Sequence, residues 1–207
     1  MYKLYAIKAW GSIAVEALLA ETGAPHEVVD VARNPDGSLP DWLLRLNPAA
    51  QIPVMELPDG TIMTESGAMM IYLADAFPQA RLAPGVATSA RARYLRWMLF
   101  LAAALYTADM RVYTPARYST DPSHAAAIKA QGAADMAREF QILADALGAG
   151  PYLLGDTFSA VDIYTAMIAS WAPDVPALSA KHPNIKTMYD RVVARPKIAA
   201  VWQRNGM

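Results

Sequence analysis

The sequence predicts a small α/β domain followed by an all-helical domain. Three observations carry this. The first eighty residues alternate short strand-like and helix-like segments, a Pro58-Asp59-Gly60 turn joins two short apolar runs, and nothing beyond Gly85 reads as a strand.

Residues 2 to 7 (YKLYAI) read as a strand, and 13 to 22 (IAVEALLAET) as a helix that Gly23 stops. Residues 26 to 31 (HEVVDV) form a second strand, giving a β-α-β start. The turn cluster Asn34-Pro35-Asp36-Gly37 precedes DWLLRLN, a single amphipathic helical piece that halts before Pro48. A third strand follows at about 53 to 57. VMEL and TIM then pair as a hairpin across Pro58-Asp59-Gly60. Residues 66 to 76 (SGAMMIYLADA) have a helical period, and Pro78, Pro84 and Gly85 mark a turn-rich linker. The remainder reads as helices over about 88 to 113, 122 to 147, 159 to 171 and 184 to 203. They are broken at Pro115, at Gly148 to Pro151, at Pro173 to Pro176 and at Pro183.

Composition narrows the chemistry. The 18 basic and 19 acidic residues nearly cancel and form no basic run, which argues against a nucleic-acid partner. Apolar residues make up 55% of the chain, yet no stretch approaches about 18 uninterrupted apolar positions. The opening MYKLYAIKAW lacks a signal-peptide profile, so the expected location is cytoplasmic, with no membrane partner. The absence of cysteine removes disulfides, thiolate metal sites and any cysteine nucleophile, so thiol chemistry here would use the substrate's thiol. His26, His124 and His182 lie far apart, without metal-site spacing, and are expected at the surface or in loops with no metal.

Residues 47 to 66, NPAAQIPVMELPDGTIMTES, concentrate the functional signal. Proline cannot donate a ladder hydrogen bond, so Ile52-Pro53 either starts an edge strand in the trans form or, if cis, turns the Ile52 backbone outward. An outward backbone would pair with an extended peptide-like ligand. Glu65-Ser66 then opens a helix, with Ser66 as its N-cap. Free amides and the helix dipole favour a carboxylate there, and Glu65 would take an ammonium group. Capping alone is the plainer reading of Ser66.

Taken together, strand, helix, strand, NPAAQIPV, the Pro-Asp-Gly hairpin, Thr64-Glu65-Ser66 and helix resemble the glutathione-binding domain of cytosolic glutathione S-transferases, of a bacterial type. The resemblance runs over nearly the whole chain. It implies a thioredoxin-like domain at 1–79, a linker at 80–87 and a helical domain with a hydrophobic substrate pocket at 88–207. It further implies a cis Ile52-Pro53 bond, with the Ile52 backbone pairing to the cysteinyl part of glutathione. Glu65 and Ser66 would hold the γ-glutamyl end, and Gln51 would lie near that end or the glycyl arm. Trp10 either walls this site or covers a hydrophobic edge.

A free thiol has a pKa near about 8.5, so the enzyme needs a donor that favours its anion. Two hydroxyls are candidates: Ser12, near the start of the first helix, and Tyr5, near the end of the first strand. Ala9 to Gly11 fill the positions that loop-serine and loop-cysteine members use, which leaves Ser12 first and Tyr5 second, with neither as a third option. Plainer roles are a helix cap for Ser12 and core packing for Tyr5.

In the helical part, Tyr106, Met110 and Tyr113 fall at i, i+4 and i+7 on one face, as core or as the wall of an apolar pocket. The resemblance favours the pocket. Ser159 and Asp162 form an S-x-x-D capping box with a structural role, and Phe158 with Ile163 would staple the helix start. The implied activity is conjugation of glutathione, as substrate, to an apolar electrophile, a detoxification chemistry carried out by a homodimer. The same first site also suits glutathione-dependent peroxide reduction or isomerisation, or a non-catalytic ligand-binding protein.

Overall fold

The structure is a computed structural model and describes residues 1–207. Packing divides the chain into two compact units, Met1–Ala83 together with Val193–Met207, and Pro84–Val192.

The first unit contains β1 (Tyr2–Ala6), α1 (Ser12–Thr22), β2 (His26–Asp30), α2 (Asp41–Leu46), β3 (Val54–Glu56), β4 (Ile62–Met63) and α3 (Ser66–Ala76). One sheet has the order β2-β1-β3-β4. β1 runs parallel to β2 and antiparallel to β3, with Tyr5 opposite Val54, and β4 pairs with β3 through Met55 and Met63. The hairpin turn closes because Leu57 N–H donates to Thr61 O at 2.8 Å and Gly60 takes a φ of 87°, a conformation that favours glycine.

Side chains alternate along β1, with Tyr2, Leu4 and Ala6 buried and Lys3 and Tyr5 partly exposed. Tyr5 and Ile7 pack on an apolar cluster of Val31, Leu39, Leu43, Ile52 and Val54. α1 is buried continuously from Ser12 to Leu19 and packs against α3.

In the helical unit, α4 (Ser89–Phe100) passes through a π-helical turn at Leu101–Leu105 into α5 (Tyr106–Tyr113). α6 (Ala125–Leu147), α7 (Ala160–Ala169), α8 (Val175–Lys181) and α9 (Pro183–Val193) follow, α9 ending at the boundary of the unit. Gly132 permits a close crossing of α5 and α6, since a Cβ there would stand 2.8 Å from Ala108 O and 2.8 Å from Arg111 Cβ. α7 is buried throughout and begins with the Ser159/Asp162 capping box. Phe158 packs edge-on against Tyr152, ring centroids 5.4 Å apart.

Several sequence expectations are corrected. The stretch read as a break at Pro173 to Pro176 contains the start of α8, because Pro176 sits in the first turn, where its missing N–H has no partner to lose. The helix expected over 184 to 203 is two, α9 and α10 (Pro196–Arg204), separated before Pro196. Residues from Val193 onward, assigned by sequence to the helical part, cluster with the first unit. There α10 packs on α1, with Arg195 bonded to Glu21 at 2.7 Å and Arg204 to Glu16 at 3.1 Å. His182 lies in the connection between α8 and α9, as one of the two expected settings, but is buried there, and that burial lowers its pKa. Finally, Ser66 is the first residue of α3 and not its N-cap, which is Glu65.

Candidate functional site

Three turns of the first unit lie at the ends of its secondary structure, and each holds a non-glycine residue at positive φ: Ala9 at 61°, Ala50 at 53° and Glu65 at 66°. An L-residue occupies that region only where its surroundings impose it, and such residues collect at ligand-binding sites.

The turn around Ala50 is built by Asn47. Its Oδ1 accepts Ala49 N–H at 3.1 Å and its Nδ2 donates to Gln51 O at 2.9 Å. This buried asparagine clamps the segment leading into Ile52-Pro53, whose peptide bond is cis. The Ile52 side chain is buried in the cluster beneath, while its backbone N–H and C=O find no partner in the chain. The β1–β3 ladder stops at Val54, so Ile52 presents the next open rung.

α3 starts beside Glu65, whose side chain is exposed. Ser66 is partly buried, and the Gly67 and Ala68 amides have no acceptor in the chain. These first-turn donors make an anion-accepting end, with a carboxylate one residue away to meet a cation. Gln51 is partly buried.

At the third turn, Gly11 is the N-cap of α1, and the amides of Gly11 and Ser12 have no acceptor in the chain. Trp10 beside them is 40% exposed and lies under the Arg33 guanidinium, 5.4 Å from ring centroid to Cζ. The two sequence candidates for thiol activation stand differently from expectation. Ser12 is wholly buried and its hydroxyl donates to Ile7 O at 3.1 Å. The Tyr5 hydroxyl donates to Glu56 Oε2 at 3.2 Å, its ring rests against Trp42, and burial together with the Glu56 carboxylate raises its pKa. Neither hydroxyl is presented to a ligand in this arrangement.

In the helical unit, α5 carries Tyr106, Met110 and Tyr113 on one face. Tyr106 stacks on Tyr164, centroids 6.4 Å apart, and meets Trp171 edge-on at 5.5 Å. Tyr113 donates to Trp171 O at 2.8 Å. Sequence reasoning did not select Trp171, which follows α7 and whose proximity depends on helix packing. It also passed over Asp109, on the same stretch of α5. Asp109 is buried with Oδ1 unpartnered, and burial alone pushes its carboxyl up to about 7.

Models of the glutathione S-transferase N-terminal and C-terminal domains match residues 12–76 and 109–204. The GST-like protein YncG of Escherichia coli strain K12 is 30% identical over 207 residues, covering 99% of this chain and 98% of that one. The chain belongs to the glutathione S-transferase family. Another member, the glutathione S-transferase GstA of E. coli O157:H7, is 26% identical over 95% of this chain and 94% of its own. Among solved structures, a glutathione transferase homolog from sulfitobacter with bound glutathione superposes with a TM-score of 0.87, at 28% identity, over 100% of this chain and 99% of that one. A sphingomonad glutathione S-transferase complexed with glutathione gives 0.84 and 27%, over 99% of both chains. The fold is therefore that of the glutathione S-transferases, a small mixed sheet with helices followed by a helical domain.

Proposed function

We propose that this glutathione S-transferase family member is a transferase that binds glutathione on its first unit and activates the thiol for attack on an apolar electrophile. The observation that carries the reading is the open Ile52 backbone after the Asn47-clamped turn, a rung cut for one short peptide. Solved family structures with bound glutathione support that ligand.

In this reading the Ile52 N–H and C=O pair with the cysteinyl residue. Glu65 takes the γ-glutamyl ammonium, and the γ-glutamyl carboxylate rests on Ser66 and the amides of Gly67 and Ala68. Gln51 and Trp10 flank the peptide. The sulfur lies at the N-terminus of α1, where the Gly11 amide and the positive end of the helix favour the thiolate. Lowering a thiol pKa by about two units takes about 2.7 kcal/mol of preference for the anion, toward which the Gly11 amide and the α1 dipole both contribute. The thiolate forms a bond to an electrophilic carbon, whose leaving group departs with the bonding pair or whose adjacent atom accepts a proton. Tyr106, Met110 and Tyr113 are the proposed wall for the electrophile.

Ser12 remains the sequence's first candidate for activating the thiol and Tyr5 its second. A non-catalytic glutathione-binding role is the competing reading, and the observation that favours it is that both hydroxyls are committed within the fold. The expected division into a glutathione-binding domain at 1–79 and a helical domain from 88, with residues 193–207 returning to the first unit, stays part of the proposal, as do the homodimer and a cytoplasmic location. No helix is long and apolar enough to cross a membrane.

Calorimetric titration with reduced glutathione tests the site. About one site per chain, weakened by Glu65→Ala, supports it; no binding up to about 10 mM, which is weaker than about −2.7 kcal/mol, refutes it. Turnover of an activated aryl halide by a chain that binds glutathione then separates transferase from binding protein.

A further inference from the structure

Resting on the thiol site proposed above, we infer that Asn205 is a positioning residue for the β1–α1 loop and fixes the N-terminus of α1 in the place from which it favours the glutathione thiolate. The segment after α10 reaches back to that loop. Asn205 Oδ1 accepts Ala9 N–H at 3.2 Å, while Nδ2 donates to Glu16 Oε2 at 3.2 Å and to Val201 O at 2.9 Å. Glu16, in α1, is also gripped by Arg204 Nη1 at 3.1 Å, and Arg204 Nη2 reaches Asp30, which ends β2, at 2.7 Å.

One asparagine thus ties the loop to the helix that follows it. Asn205 is only 5% exposed and its bonds to Glu16 and Val201 are buried, so the asparagine is held in a fixed orientation from which its Oδ1 meets the amide of the exposed Ala9. Ala9 takes its positive φ at the point where its amide is bound, and Gly11 and Ser12 follow two and three residues later. The loop's own backbone hydrogen bonds are local: Trp10 N–H donates to Ile7 O at 3.2 Å and Ile13 N–H to Trp10 O at 3.1 Å. The Asn205 bond spans 196 residues of sequence and is what orients the loop relative to α10. Donors that stabilise a developing charge act through fixed geometry, so a loosened loop weakens them without removing any atom that touches the ligand. The alternative is that Asn205 merely ends α10 through its bond to Val201 O.

The test uses Asn205→Ala and Asn205→Asp in the full chain. The aspartate keeps size and acceptor but sets a carboxylate against Glu16. Without glutathione, amide hydrogen exchange over residues 7–12 is expected to rise about tenfold in both variants, with α3 unchanged. With glutathione, the pH midpoint of the bound thiolate absorbance is expected to move up by about half a pH unit. kcat is expected to fall about threefold, in step with the thiolate fraction, while binding of S-methylglutathione, which has no thiol to ionise, is unchanged. Unchanged exchange in folded variants overturns the clamp whether or not the protein handles glutathione. Raised exchange with an unmoved thiolate midpoint overturns the positioning role and leaves Asn205 a helix end. A wild-type chain that takes up no glutathione defeats the thiol-site reading itself, an outcome visible before any variant is made.

Discussion

Asp162 Oδ1 accepts the backbone N–H of Leu153 at 2.9 Å, while its Oδ2 accepts the N–H of Ser159 at 2.8 Å and the Ser159 hydroxyl at 3.1 Å. One carboxylate therefore both starts α7 and pins the loop before it.

Removing that side chain strands two buried amides at once. Asp162→Ala is expected to destabilise the protein by about 2–4 kcal/mol. The corresponding fall in melting temperature is about 5–15 °C for a chain of this size. Differential scanning calorimetry reads it directly, and a loss below about 0.5 kcal/mol would show that the loop and α7 do not depend on the box.

Asp109 gives a pH-dependent expectation. Its folded carboxyl is pushed up to about 7 by burial. It therefore binds its proton more tightly than in the unfolded chain, where a value of about 3.9 applies. The native state holds more protons between these values, so this group's contribution to stability falls as pH rises from about 4 to about 7. Asp109→Asn, neutral at every pH, should exceed wild type by about 2–4 kcal/mol at pH 8 and match it near pH 4. Denaturant unfolding at the two pH values decides, and a gap that does not widen with pH refutes the assignment.

At the α5–α6 crossing, helix propensity and packing oppose each other. Gly132→Ala adds about 1 kcal/mol of helix preference, yet its Cβ would stand 2.8 Å from Ala108 O, backbone that cannot swing aside. Overpacking costs typically about 1–3 kcal/mol. A net loss of about 1 kcal/mol is expected by urea titration, and a gain would mean that the two helices separate easily.

The commitments of Tyr5 and Ser12 predict a contrast. Tyr5→Phe deletes a hydroxyl already bonded to Glu56 and is expected to lower kcat/KM by less than about threefold. Ser12→Ala deletes a buried donor that bridges to Ile7 O at the mouth of α1, with an expected stability cost of about 1 kcal/mol and a similarly small kinetic effect. A drop of a hundredfold or more in either variant, at unchanged glutathione affinity, identifies that hydroxyl as the thiol's donor and displaces the α1 amides.

Much of the fold was legible because its signals are local. The β-α-β start, the Pro-Asp-Gly hairpin and the Ser159/Asp162 box each follow from residues within a few positions of one another. α8 was missed because proline breaks a helix only in its interior, and the pattern around Pro176 does not say which turn it occupies. The bounds of α3 were read correctly, but its cap was not, since Glu65 adopts a positive φ that its residue type does not announce. Of the candidate site, Ile52-Pro53 and Glu65-Ser66 were visible as a spaced motif. The burial of Ser12, the isolation of Asp109, the packing of Trp171 on Tyr106 and the reach of Asn205 to Ala9 all arise from contacts between distant segments, which periodicity does not encode.

The return of Val193–Met207 to the first unit means that the helical unit is, topologically, an insertion within a discontinuous one. During synthesis the sheet, α1 and α3 emerge first, but the surface of α1 that α10 covers waits until more than a hundred further residues are made. A fragment cut after Ala83 would accordingly lack α10 and the partners of Glu16 and Glu21, and would be prone to self-association through that uncovered helix. Exchange of modules between relatives should therefore carry residues 193–207 along with the N-terminal segment, or the recombined chain will mismatch at α1.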